Sequence, residues 1–155
     1  MPEIIAVCTA NICRSPVVEA VLRDRLAGKG LMGWRVQSAG TWAQNGQAPS
    51  RYGQEILAER GLDISSHTSQ VITEELLQTA DLVLCLETGH AEALRAEFPH
   101  HAAKIFLLTE MVGQRYSIAD PYGGPRFAYE RMIDDVTQLI EDGLPRIIEL
   151  ATNPE

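Results

Sequence analysis

A chain of 155 residues can bury a hydrophobic core without disulfide or metal staples and is expected to form one domain over residues 1–155. Its 21 acidic and 13 basic side chains give a formal charge of −8, and the absence of any basic stripe excludes nucleic acid and an anionic membrane as expected partners. Three cysteines (Cys8, Cys13, Cys85), no secretory segment and no long apolar run point to a reducing, cytoplasmic location, and no Cys/His spacing resembles a metal site.

In chain order, Ile4-Ile5-Ala6-Val7 runs into Cys8, and this continuous apolar stretch over about 3–8 suits a parallel strand buried on both faces. Thr9-Ala10-Asn11-Ile12-Cys13 is a short loop, and Arg14 follows where a helical pattern begins. Val17, Val18, Val21, Leu22 and Leu26 mark one side of a helix over about 15–28, with Pro16 tolerated in its first turn, Gly28 as its stop and Glu19, Arg23, Asp24 and Arg25 on its solvated face. A loop whose amides curl inward at a helix N-terminus binds oxyanions, and the same field stabilises a thiolate at Cys8. Arg14 adds a planar fork of donors matched to two phosphoryl oxygens. The Cys-to-Arg spacing alone is weak; the strand before it and Ser15-Pro16 and the helix after it give it meaning. Cys8 and Cys13 bracket the loop, so a reversible disulfide between them is expected under peroxide.

Trp34 to Ser38 reads as a second strand, ending in Ser38-Ala39-Gly40-Thr41, and Trp42 opens a polar loop to Ser50. A helix over about 50–60 carries Tyr52, Ile56 and Leu57 and stops at Gly61; Ser65-Ser66-His67 follows on a loop. Thr73 to Leu77 starts a short helix with an acidic first turn. Asp81 to Glu87 is a third strand in which Cys85 is inert core, a helix over about 88–97 ends at Pro99, and Lys104 to Leu108 is the fourth strand. His90, His100 and His101 have no ligand spacing and receive no role. In Asp120-Pro121-Tyr122-Gly123-Gly124 the proline holds Asp120 in extended conformation on a stiffened loop. The last helix begins near Arg126, and Gly143-Leu144-Pro145 is expected to kink or break it, leaving a short piece to about Ala151. Four strands alternating with helices make an α/β, doubly wound parallel sheet.

Cys8-Thr9-Ala10-Asn11-Ile12-Cys13-Arg14-Ser15-Pro16 resembles the signature loop of the low-molecular-weight protein tyrosine phosphatases, a likeness that extends over nearly the whole chain. The resemblance implies strand order 2-1-3-4 with the Cys8 loop at the switch point, and a cysteinyl-phosphate mechanism that needs no cofactor. By it Cys8 is the nucleophile, Arg14 the clamp and Asp120 the general acid, while residues 9–13 (Thr9, Ala10, Asn11, Ile12, Cys13) cradle the phosphoryl group. Tyr122 and Trp42 wall the cleft; Ser15 supports the Cys8 sulfur, and Ser38 and His67 support Asn11. The family usually has glycine where this chain has Ala10, which bears on how the loop reaches its curl.

The implied substrate is a phosphorylated protein, with inorganic phosphate as product. Apolar Ile12 suits an aryl ring, so phosphotyrosine is expected. The Asp-Pro-aromatic-Gly-Gly run also resembles the protein arginine phosphatase branch of the family, which carries threonine at the place of Ile12; phosphoarginine is the alternative. A thiol-linked arsenate reductase would need two further redox cysteines, and only Cys85 lies in that region. From a different class, the chain could be a non-catalytic anion-binding module or a thiol redox sensor; pure binding would require neither the nucleophile Cys8 nor the acid Asp120.

Overall fold

The computed structural model describes residues 1–153. Strands β1 (Glu3–Cys8), β2 (Arg35–Gly40), β3 (Leu82–Cys85) and β4 (Ile105–Leu107) form one parallel sheet in the order β2-β1-β3-β4. Helices α1 (Arg14–Gly28), α2 (Arg51–Glu59), α3 (Glu74–Thr79), α4 (Thr88–Glu97) and α5 (Arg126–Thr152) surround it. Thr73 caps α3 by accepting from Leu76 N at 3.2 Å, as its position before an acidic turn suggests.

Side chains alternate across β1, so the two sheet faces receive different residues. Ile4 and Ala6 pack with Val18, Leu22, Ile133 and Ile140 of α1 and α5, whereas Ile5 and Val7 pack with Leu77 of α3 and Leu94 of α4. Every residue of β1 is buried, which accounts for its unbroken apolar run. Each fully buried Ile or Val contributes about 1.5–3 kcal/mol, so the sheet is anchored at its centre. The crossovers send α1 to one face and α3 to the other, and the chain reverses direction across the sheet between β1 and β3. The register places Cys8 beside Gly40 and Val7 beside Cys85, so the carboxyl ends of three strands meet at one rim. Ligands bind beyond such a rim in open α/β sheets.

The last helix departs from expectation: it runs unbroken from Arg126 to Thr152 with Pro145 inside it. An interior proline costs about 3 kcal/mol through its missing N–H and its ring. Burial of Leu144 and Ile147 on either side of Pro145 offsets a cost of that size. Gly143 also lets the helix press onto Met111, where a Cβ would stand 2.7 Å from the Met111 Cβ. Packing thus holds helical geometry through a sequence that disfavours it.

Candidate active site

Cys8 is the last residue of β1, and the loop from Thr9 to Cys13 carries the chain into α1. The loop's carbonyls are drawn outward by four partners on three other segments. Cys8 O accepts from Thr41 N and Thr9 O from Trp42 N, both at 2.9 Å; Ile12 O accepts from Ser50 N and Asn11 O from His67 Nε2, both at 2.8 Å. The amides of residues 10–13 donate to no described residue and remain for an oxyanion at the amino end of α1.

The tight turn falls on Asn11, whose φ of 60° makes it the sole non-glycine with positive φ among the described residues. Asparagine tolerates this region, and here its side chain is fastened at three points. Nδ2 donates to Ser15 Oγ at 2.8 Å and Ser38 Oγ at 2.9 Å, and Oδ1 accepts from Gln70 N at 2.9 Å. Ala10 therefore does not need the backbone freedom of the family's glycine, and its Cβ imposes no left-handed strain. The Asn11 side chain is fully buried and does not line the cleft, so its contribution to binding runs through the loop backbone.

Ser15 Oγ lies 2.9 Å from Cys8 Sγ, placed to donate to the sulfur. Ser38 Oγ donates to Glu19 Oε1 at 2.7 Å, and Glu19 also lies 3.9 Å from His67 Nδ1. Glu19 thus corrects its expected place on a solvated helix face: it anchors Ser38, and through Ser38 the Asn11 amide. Ser38 and His67 do reach Asn11, at its side chain and its carbonyl respectively.

Arg14 is only 1% exposed. Its Nη1 donates to Ile118 O at 2.7 Å and pairs with Glu87 Oε2 at 2.6 Å, and Nη2 donates to Thr9 Oγ1 at 3.3 Å. Nη2 also lies 3.5 Å from Asp120 Oδ2, while the buried Nε has no partner. A buried, unpartnered guanidinium N–H beside free loop amides is a donor set awaiting an anion. Asp120 is held at the rim by Tyr122 N, which donates to its Oδ1 at 3.1 Å.

These groups enclose a cleft of about 350 Å³ lined by Cys8, Thr9, Ala10, Ile12, Cys13, Arg14, Trp42, Gln44, Gln47, Asp120 and Tyr122. Trp42 and Tyr122 stand at its mouth, 85% and 70% exposed. Cys13 Sγ contacts Tyr129 Oη at 3.8 Å, and burial pushes the Cys13 thiol up from its ordinary pKa. Cys85 is buried core, its thiol pushed up to about 12 by desolvation.

The residues that sequence reasoning missed are Gly40, Gln70, Glu87 and His90. A Cβ on Gly40 would stand 2.3 Å from Thr9 O and 3.0 Å from Asn11 N, so β2 approaches the loop as closely as only glycine permits. Gly40 ends β2 and Glu87 lies just beyond the carboxyl end of β3, a placement that could have marked both. Gln70 acts through its backbone and carries no such signal.

The family model described as low molecular weight phosphotyrosine protein phosphatase matches residues 3–151. The chain is 33% identical over 144 residues to the probable low molecular weight protein-tyrosine-phosphatase EpsP of Ralstonia nicotianae, covering 93% of this chain and 94% of that one. It is 34% identical over 139 residues to a protein-arginine-phosphatase of Bacillus subtilis, covering 89% and 91%. The crystal structure of a low molecular weight protein tyrosine phosphatase from T. tengcongensis superimposes with a TM-score of 0.89 at 35% identity, covering 94% of this chain and 99% of that one. With the family model matched over nearly the whole chain and the fold shared with a solved relative, the chain belongs to the low molecular weight phosphotyrosine protein phosphatase family of cysteine-dependent phosphatases.

Proposed function

We propose that this chain hydrolyses phosphotyrosine in proteins, with Cys8, Arg14 and Asp120 as its catalytic residues. The convergence of these three on one cleft carries the reading. Cys8 Sγ attacks phosphorus in line with the leaving oxygen, forming an S–P bond as the O–P bond breaks. Arg14 Nε and Nη2 and the amides of residues 10–13 bind the equatorial oxygens, where charge spreads in the transition state. Asp120 gives its proton to the departing phenolate, then takes one from the water that cleaves the S–P bond, releasing inorganic phosphate and the Cys8 sulfur. Ser15 donates to that sulfur as its charge returns.

Charge and cysteine usage support the same setting as the sequence: a protein substrate rather than nucleic acid or a membrane, in a cytoplasmic compartment. Among the described residues no helix is long and apolar enough to cross a membrane. Turnover of phenyl phosphate in the presence of a chelator, abolished by a thiol alkylator and by Cys8→Ser, is the expected result. Undiminished turnover by Cys8→Ser would refute the mechanism.

The B. subtilis relative and the Asp120 to Gly124 run favour phosphoarginine as the second reading. Ile12 is a lining residue of the cleft, and its apolar surface supports the aryl ring instead. The wild type should prefer phosphotyrosine by kcat/KM, and Ile12→Thr should shift the ratio toward phosphoarginine. A wild type that prefers phosphoarginine would reverse the assignment.

A further inference from the structure

The clamp role of Arg14 proposed above leaves a question of orientation. A guanidinium in a buried pocket can rotate about its own stem, and anion binding requires that Nε and one edge face the loop amides. The contacts of Nη1 and Nη2 show how this is arranged. Nη1 meets Glu87 Oε2 at 2.6 Å, and Nη2 meets Thr9 Oγ1 at 3.3 Å. The same two oxygens flank one further atom, His90 Nε2, at 3.7 Å and 2.9 Å respectively. His90 lies in the first turn of α4 and is 6% exposed.

We propose that His90 is a positioning residue for the anion clamp: its Nε2–H donates to Thr9 Oγ1, and with Glu87 it closes a ring of contacts that fixes both terminal nitrogens of Arg14 and leaves Nε and the second N–H of Nη2 to the phosphoryl oxygens.

Three observations set the direction of the hydrogen bond. The Glu87 carboxylate oxygen beside Nε2 favours a proton on that nitrogen rather than a lone pair. His90 Nδ1 is buried without a partner, and an unpaired lone pair there is less costly than an unpaired N–H. Thr9 Oγ1 has two lone pairs, one for Arg14 Nη2 and one for His90 Nε2, so its own proton is free to point into the cleft that Thr9 lines. The charged groups facing the ring are Glu87 and Asp120, which favour its charged form, and Arg14, which opposes it. Burial, the largest influence, also opposes charge and the pKa lies below the ordinary histidine value. A neutral imidazole beside Arg14 holds the fork without competing with it for the anion.

A packing role would be served equally by an apolar side chain of similar size, so the test compares shape with hydrogen bonding. Inorganic phosphate is titrated calorimetrically into wild type, His90→Leu, His90→Gln, Thr9→Val and the Thr9→Val/His90→Leu double variant, with thermal melts alongside. His90→Leu and Thr9→Val should each weaken phosphate about tenfold, the scale of one hydrogen bond lost from a buried polar network. The double variant should be no weaker than Thr9→Val alone, because that variant already removes the link to His90 together with the Arg14 contact. His90→Gln, whose side-chain amide reaches the place of Nε2, should restore affinity to within about threefold. Imidazole 15N shifts should place the His90 proton on Nε2.

Additive losses, a His90→Gln variant no better than His90→Leu, a proton on Nδ1, or wild-type affinity in Thr9→Val would each overturn the proposal. Should His90→Leu fail to fold, Thr9→Val and His90→Gln still decide it. Phosphate binding requires no turnover. A wild type that binds phosphate yet does not hydrolyse phenyl phosphate would therefore retire the catalytic reading and leave the His90 result standing.

Discussion

Gly40→Ala tests whether the phosphate loop is shaped from outside. The new Cβ would stand 2.3 Å from Thr9 O, 2.9 Å from Ala43 Cβ and 3.0 Å from Asn11 N. Restoring ordinary contact with Thr9 O requires about 1 Å of movement, since real Cβ contacts rarely fall below 3.4 Å. Gly40 itself has little room to retreat. Its N–H donates to Gln70 O and its carbonyl accepts from Ile72 N, both at 2.9 Å, and it pairs with Cys8 in the sheet register. The loop must yield instead, carrying the free amides away from the Cys8 sulfur. A 1 Å misplacement of reacting groups costs about 10²-fold, so kcat/KM on an aryl phosphate should fall roughly a hundredfold. Overpacking should cost about 1–3 kcal/mol of stability, leaving a folded enzyme whose melt can be measured. Gly28→Ala is the control, because nothing lies within 4 Å of that Cβ, and it should leave kcat/KM unchanged. A Gly40→Ala enzyme within about threefold of wild type would show that the loop holds its shape without β2.

Asp120→Asn should lower the single-turnover rate on phosphotyrosine by about 10²- to 10⁴-fold, the usual worth of a general acid. The loss should shrink as the leaving group becomes more acidic, and equal leaving-group slopes in the two enzymes would place the acid elsewhere. Peroxide should convert Cys8 to the sulfenic acid, which Cys13 then displaces as water to form a Cys8–Cys13 disulfide; peptide mapping that finds only sulfinic Cys8, or a bridge to Cys85, would exclude it. Iodoacetamide near neutral pH should label Cys8 and spare Cys85, whose buried thiol is pushed up to about 12, and labelling of Cys85 in the folded protein would contradict its burial.

The three residues proposed as catalytic were legible as candidates because each sits in a local pattern with its own chemistry. A strand running into Cys8, an arginine at the head of a helix, and an aspartate stiffened by Pro121 are all readable within a few residues. The sheet order, by contrast, came from resemblance, since four buried strands permit several right-handed arrangements. What stayed hidden depends on contacts across the fold. Glu19 looks like surface on a helical wheel, yet its partner Ser38 lies on β2, and that contact exists only once α1 packs on the sheet. Glu87 reads as the polar end of a strand until Arg14 turns out to be buried against it. His90 has no motif at all and becomes meaningful only because Thr9 lies beside it. Pro145 misled for the same reason in reverse: its local preference is real, but the buried flanks of α5 outweigh it.

The floor and the mouth of the cleft differ in a way that separates chemistry from recognition. At the floor, Asn11, Ser15, Ser38 and Arg14 are buried, and their polar atoms are satisfied within the protein except at the Arg14 Nε that faces the anion loop. Such donors cost no reorganisation when charge develops on the phosphoryl oxygens, so their contribution belongs to the transition state. At the mouth, Trp42 and Tyr122 are exposed, and on the proposed function a substrate side chain that covers them would bury them. Their contribution is made in the bound ground state and persists through the reaction, which lowers KM without raising kcat. Ile12 stands between the two sets, with its backbone in the anion loop and its side chain on the cleft wall. On the proposed function, it is the residue at which the same phosphoryl chemistry would be turned toward an aryl or a guanidino leaving group without disturbing the buried network beneath.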